Sequence, residues 1–78
     1  MKSNKLWCEE YGDYYGNSDP KYGGTLTDLR KLSVGTKFFV ANGWWRGEIL
    51  SDNRILIHAP TEDIILKLTD KQHSFYLR

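Results

Sequence analysis

Seventy-eight residues make one small domain, and by surface-to-volume scaling such a chain buries only roughly 60–65% of its unfolded surface, which leaves no core to give up to a deep substrate cavity. A formal net charge of +1 removes any general electrostatic pull toward nucleic acid or anionic membrane, and the single Cys8 excludes an internal disulfide and suits a reducing compartment. Three Trp, five Tyr and three Phe are many for this length, and aromatics favour strands.

The start, Met1 to Cys8, lacks the apolar core of a signal peptide because Glu9 and Glu10 follow at once, and no run approaches the length of a membrane span. A cytoplasmic location is therefore expected. Residues 1–24 read as an acidic, tyrosine-bearing N-terminal arm; within it residues 1–20 set Lys2 and Lys5 against Glu9, Glu10, Asp13 and Asp19, giving −2, while residues 21–78 carry +3. A short strand is expected around Leu6 to Tyr11, interrupted by Gly12 and Gly16. Gly16 to Gly24 is dense in turn formers and reads as loop. The arm either stays disordered until it meets a partner or adds Leu6 and Trp7 to the rest as an edge strand.

A domain over residues 25–78 follows. Thr25-Leu26-Thr27-Asp28 has the spacing of a capping box, and Leu26, Leu29 and Leu32 recur at three-residue intervals, so a short helix is expected from Leu26 to Leu32. Ser33-Val34-Gly35-Thr36 then turns the chain into its central hairpin.

That hairpin is signalled by Asn42-Gly43 between two apolar, β-prone runs, because a type I′ turn needs φ > 0 at both central positions. A two-residue turn sets Ala41 opposite Trp44, Val40 opposite Trp45, Phe39 opposite Arg46 and Phe38 opposite Gly47. Opposed residues share a face and successive residues alternate. One face then carries Thr36, Phe38, Val40, Trp45 and Ile49, with Gly47 leaving room for Phe38, and reads as core. The other carries Lys37, Phe39, Ala41, Trp44, Arg46 and Glu48. An outward face is ordinarily polar, and this one holds two aromatics beside an arginine.

A three-residue loop from Asp52 to Arg54 is expected next, pairing Ser51 with Ile55 and Ile49 with Ile57. It sends Ile49, Ile55 and Ile57 inward, sets Leu50 and Leu56 opposite each other outside, and puts Glu48 across from His58. A two-residue loop would bury Arg54 and His58 instead. Ala59-Pro60-Thr61 breaks the sheet, since proline cannot donate to a ladder. Ile64 to Leu68 is a fourth strand with Ile64, Leu66 and Leu68 inward and Ile65 and Lys67 outward. Thr69 to Gln72 has a capping pattern that fits one 3₁₀ turn, and Ser74 to Arg78 makes a closing strand.

The order of these elements resembles the SH3-like small barrel, the superfold of KOW, Tudor and related domains. The residues that carry the resemblance are Val34-Gly35-Thr36, Trp44-Trp45-Arg46-Gly47-Glu48-Ile49 and the turn at Thr69 to Gln72. It covers about residues 33–78 and implies a mainly β, five-stranded antiparallel barrel with one short helix and a partly flexible N-terminal arm. The chain has neither the Ala-Leu-Tyr-Asp-Tyr-type start of true SH3 domains nor a Tudor aromatic cage, so neither ligand class is implied.

Chemistry-bearing groups are sparse. Cys8, His58 and His73 show no ligand spacing for a metal, Cys8 has no neighbouring base in sequence, and the carboxylates Glu9/Glu10 and Glu62/Asp63 are adjacent and point apart within a strand. Gly23-Gly24-Thr25 lacks the lysine of a phosphate loop. No enzyme, cofactor or metal is expected. The outward patch of Phe39, Trp44 and Arg46, extended by Leu50 and Leu56, is the candidate partner-binding site, since Trp and Arg dominate interaction hot spots. Cover by the N-terminal arm, and after it homodimerisation through the same sheet, are the alternative accounts of the patch. The functional expectation is a small protein-interaction module, a regulator or inhibitor of the kind that phages and mobile elements encode. The alternative is nucleic-acid binding, with Phe39, Trp44 and Tyr76 stacking bases and Lys37, Arg46, Arg54 and Lys67 on phosphates.

Overall fold

Alternation of apolar and polar residues sets the faces of the sheet. Ile64 and Leu66 are buried while Asp63, Ile65 and Lys67 between and beside them are exposed, and Ile55 and Ile57 are buried with Leu56 half-buried between. The computed structural model describes residues 4–78 and forms strands β1 (Asn4–Cys8), β2 (Asp13–Ser18), β3 (Thr25–Asp28), β4 (Lys37–Phe39), β5 (Arg46–Ile49), β6 (Arg54–His58), β7 (Asp63–Lys67) and β8 (Ser74–Leu77). Six make one antiparallel sheet in the order β2-β1-β7-β6-β5-β4, and β3 pairs with β8 in a second. No helix among the described residues is long and apolar enough to cross a membrane.

The chain is mainly β with almost no helix, as expected, and its six-stranded sheet is not closed into a barrel. It is rolled instead. Tyr15 on edge strand β2 stacks on Trp45 near the other edge, ring centroids 5.4 Å apart and planes within 6°. Strand β8 lies across the gap. The Ala41 N–H donates to the Tyr76 carbonyl at 2.8 Å and the Arg78 N–H donates to the Phe39 carbonyl at 2.9 Å, on either side of a Val40–Leu77 bridge. The Tyr76 N–H in turn donates to the buried Ser18 hydroxyl. Leu6, Cys8, Phe38, Val40, Trp45, Ile49 and Phe75 fill the interior with the β6 and β7 residues.

Residues 4–8 and 13–18 are sheet, with β1 between β7 and β2, and the strand expected from Leu6 to Tyr11 instead ends at Cys8, where residues 9–12 turn the chain into β2. The loop expected from Gly16 begins only after Ser18, because aromatic packing holds β2: Tyr14 meets Trp7 edge-on at 5.1 Å on the outside, and Tyr15 meets Trp45 inside. The helix expected from Leu26 to Leu32 is replaced by β3 and a single 3₁₀ turn, Leu29–Lys31. The hydrogen-bonding groups along one edge of β8 find partners in β3, with Leu26 opposite Tyr76 and Asp28 opposite Ser74. Only Leu29 of the leucine triplet is fully buried, and Leu26 is 53% exposed. Asp28 closes no capping box; its carboxylate accepts from the Arg30 N–H at 3.0 Å and caps the 3₁₀ turn.

The central hairpin keeps its expected register, with Lys37 opposite Glu48, Phe38 opposite Gly47 and Phe39 opposite Arg46. Its turn is not type I′, since only Gly43, at φ 83°, is left-handed there. The Asn42 side-chain oxygen accepts from the Trp44 N–H at 2.9 Å and the Trp45 N–H at 2.8 Å, a side-chain turn that replaces the backbone one. Trp45 is thereby 6% exposed and Trp44 76% exposed.

The next loop is shifted. Ile49 pairs with Ile55, Glu48 with Leu56 and Arg46 with His58, around Ser51-Asp52-Asn53, where Asp52 and Asn53 take φ 61° and 58°. Asn and Asp tolerate the left-handed region best after glycine, which places the turn there rather than at Arg54. A shift of two residues preserves the faces, so Ile49, Ile55 and Ile57 remain inward. Thr69 to Gln72 forms its capping contact, with the Gln72 N–H donating to the Thr69 hydroxyl at 3.0 Å, but as a bend rather than a 3₁₀ turn.

Two stability predictions follow from this packing. A Cβ at Gly47 would lie 2.6 Å from Phe38 Cζ and 2.7 Å from the Leu56 carbonyl oxygen. Gly47→Ala therefore lowers the urea midpoint by the equivalent of about 1–3 kcal/mol, and an unchanged midpoint contradicts the close approach. Trp45→Ala costs about 3–5 kcal/mol and Trp44→Ala much less; equal losses in paired denaturation curves contradict the face assignment.

A third concerns acid. The hydrogen bond from the Arg30 side chain holds the Asp28 carboxyl down to about 2. This group favours the fold above the ordinary carboxylate value near 4 and ceases to do so as pH falls through about 2. Asp28→Asn is expected to flatten that part of the acid limb in a pH-dependent melt; an unchanged acid limb contradicts the pairing.

Candidate functional site

The β4–β5 hairpin sets Phe39 and Arg46 side by side on the outer face, and the Asn42 turn sends Trp44 out just beyond them. Phe39 is 52% exposed. The Val40–Leu77 bridge delivers Arg78 to the same place, its guanidinium 5.3 Å from the Phe39 ring centroid, within cation–π range. His58 stands opposite Arg46, and its ring lies 2.8 Å from the Asp63 carboxylate. Two adjoining shallow clefts of about 350 Å³ each share Phe39, Arg46 and His58; one extends past Lys37 and Glu48, the other beneath Trp44, Pro60 and Arg78.

The arginines here differ from those elsewhere. Arg30 pairs with Asp28 at 3.1 Å and Asp70 at 3.4 Å, and Arg54 with Glu9 at 3.0 Å. Lys37, Arg46 and Arg78 make no ion pair among the described residues. Three cations without carboxylate partners thus surround two exposed rings.

Of the expected residues, Phe39, Trp44 and Arg46 converge. Leu50 lies in a separate depression with Leu29, Leu32 and Leu68, and Leu56 in another with Ile65, Glu9, Glu10 and Asp63. The shifted β5–β6 register separates the two leucines, since Leu56 opposes Glu48 and the Leu50 N–H donates to the Arg54 carbonyl. The described part of the N-terminal segment does not cover Trp44; β1 and β2 occupy the far edge of the sheet. Arg78, His58 and Pro60 complete the patch and were invisible in the sequence, because only the tertiary Val40–Leu77 and Arg46–His58 pairings bring them in.

The other chemical groups disperse. Cys8 is fully buried in the core, and the His73 ring nitrogens lie 3.1 Å from the Thr69 carbonyl and 3.8 Å from Asp28. Among the described residues no three His, Cys, Asp or Glu side chains are grouped for a metal ion. Gly23-Gly24-Thr25 opens a strand rather than a helix, so it offers no helix dipole to an anion. Glu62 accepts a hydrogen bond from the Tyr11 hydroxyl, which pushes that phenol up to about 12.

A curated protein of Bacillus subtilis (strain 168), described as SPbeta prophage-derived uncharacterized protein YoqS, is 38% identical over 60 residues, 77% of this chain and 50% of that protein. The chain thus spans about half the length of the curated relative it matches. No family model matches the chain, and no solved structure matches it.

Proposed function

We propose that the protein is a non-enzymatic protein-interaction module, a regulator or inhibitor of a larger protein of phage or mobile-element type, that works through Phe39, Trp44 and Arg46 with Arg78 added. The observation that carries this is Trp44, 76% exposed on a turn that a buried side chain holds in place. A large aromatic kept in water by a fixed turn, beside an unpaired guanidinium, has the composition of an interface anchor. The prophage origin of the relative supports the source class. The SH3-like reading belongs to the same proposal: β4 to β7 run as an antiparallel meander, and the end of β8 bridges back to the end of β4.

Nucleic-acid binding is the second reading, favoured by Lys37, Arg46 and Arg78 around two exposed rings. Arg54, assigned to phosphates in that reading, pairs with Glu9, and Lys67 stands on β7, two strands away from β5.

The test is affinity capture from host cells with wild type and with Trp44→Ala and Arg46→Ala. Both variants are expected to stay folded and lose the dominant partner. Capture undiminished in both places the working surface elsewhere, and capture of nucleic acid lost steeply with salt favours the second reading.

A further inference from the structure

We infer that the ligand of this surface is a short acidic segment of a protein, laid across the sheet face with an apolar side chain on Trp44 and carboxylates at Arg46 and Arg78; this rests on the protein-interaction reading above. Charge complementarity is the first argument. The arginines elsewhere in the described chain, Arg30 and Arg54, meet carboxylates, whereas the two beside Phe39 meet none. A guanidinium fork matches a carboxylate in two hydrogen bonds, and an apolar ring beside it excludes water and strengthens the pair.

The extent of the patch is the second argument. Glu48 lines the cleft opposite Lys37, and beyond His58 carboxylates outnumber cations, with Asp63 at the start of β7 and Glu9 and Glu10 lining the neighbouring depression around Leu56 and Ile65, where Arg54 pairs with Glu9. A phosphodiester chain tracking the face would meet these carboxylates soon after leaving Arg46. A short acidic peptide segment would not need to reach them.

The mode of docking is the third. Strand addition at the end of β4 is closed off, because the Phe39 carbonyl already accepts from the Arg78 N–H and the Ala41 N–H donates to the Tyr76 carbonyl. Recognition therefore falls to side chains on the face, and its energy to the two guanidinium groups and the two rings.

Three fluorescently labelled probes test this by anisotropy: a short peptide alternating glutamate and leucine, its lysine counterpart, and an oligothymidylate with the same charge as the acidic peptide. The acidic peptide is expected to bind best. Arg46→Glu combined with Arg78→Glu should weaken it roughly tenfold, and Arg46→Lys with Arg78→Lys, which keeps the charge and loses the fork, should fall between that variant and wild type. Thermal melts check folding; if the double reversal unfolds, Arg46→Gln alone carries the comparison. Tighter binding of the lysine peptide or the oligothymidylate overturns the inference, as does an acidic peptide indifferent to both arginines. Partner capture that depends on Trp44, together with no binding of the acidic peptide, overturns the acidic chemistry and leaves the interaction reading standing. Capture independent of Trp44 and Arg46 overturns the interaction reading itself.

Discussion

One carboxamide oxygen decides where the two tryptophans go. Asn42 Oδ1 accepts from the backbone N–H of both Trp44 and Trp45, and the chain leaves the turn with its side chains already divided between core and water. The arrangement is not free of cost: Asn42 Nδ2 is buried with no hydrogen-bond partner among the described residues, a loss of about 1–3 kcal/mol in typical cases. Burial of Trp45 against Tyr15 is large enough to offset it, since burying a large aromatic contributes several kcal/mol. The same oxygen thus holds a core residue in and a contact residue out.

The rest of the fold builds on that division. Trp45 under Tyr15 draws the two edges of the sheet toward each other, and β8 fills the remaining gap with backbone bonds to the end of β4 and to Ser18. Arg78 reaches Phe39 only because β8 is seated there. The candidate surface is therefore a product of this long-range packing. Its rings come from the hairpin, one of its guanidinium groups from the hairpin and the other from the residue after the final strand; Phe39 and Arg46 stand on strands, which hold such groups in fixed geometry, and Trp44 stands on the Asn42 turn.

What was legible in the sequence was local and periodic. Phe38, Val40, Trp45, Ile49, Ile55, Ile57, Ile64 and Leu66 were assigned inward by alternation and are buried, and Phe39 and Trp44 were assigned outward and are exposed, whereas Ala41, also assigned outward, is buried where its N–H donates to the Tyr76 carbonyl of β8. Alternation survives even the two-residue shift at Ser51-Asp52-Asn53, because a shift of that size returns each side chain to its own face. What was not legible depended on distant partners. Leu26, Leu29 and Leu32 carry a helical spacing, yet Thr25–Asp28 is a strand because β8, nearly fifty residues on, offers it an edge. Tyr14 and Tyr15 belong to a strand for the same kind of reason, with Trp7 and Trp45 as their partners. Propensity and spacing describe a segment alone, and tertiary pairing overrode both.

The division of the tryptophans is the claim on which fold and surface both rest, and the indole resonances report on it directly. In a ¹H–¹⁵N NMR titration with a soluble paramagnetic agent, the Trp44 indole N–H should broaden steeply and the Trp45 indole N–H should broaden least, with assignments from Trp44→Phe and Trp45→Phe. Equal broadening of the two, or protection of Trp44 in the free protein, would contradict the account.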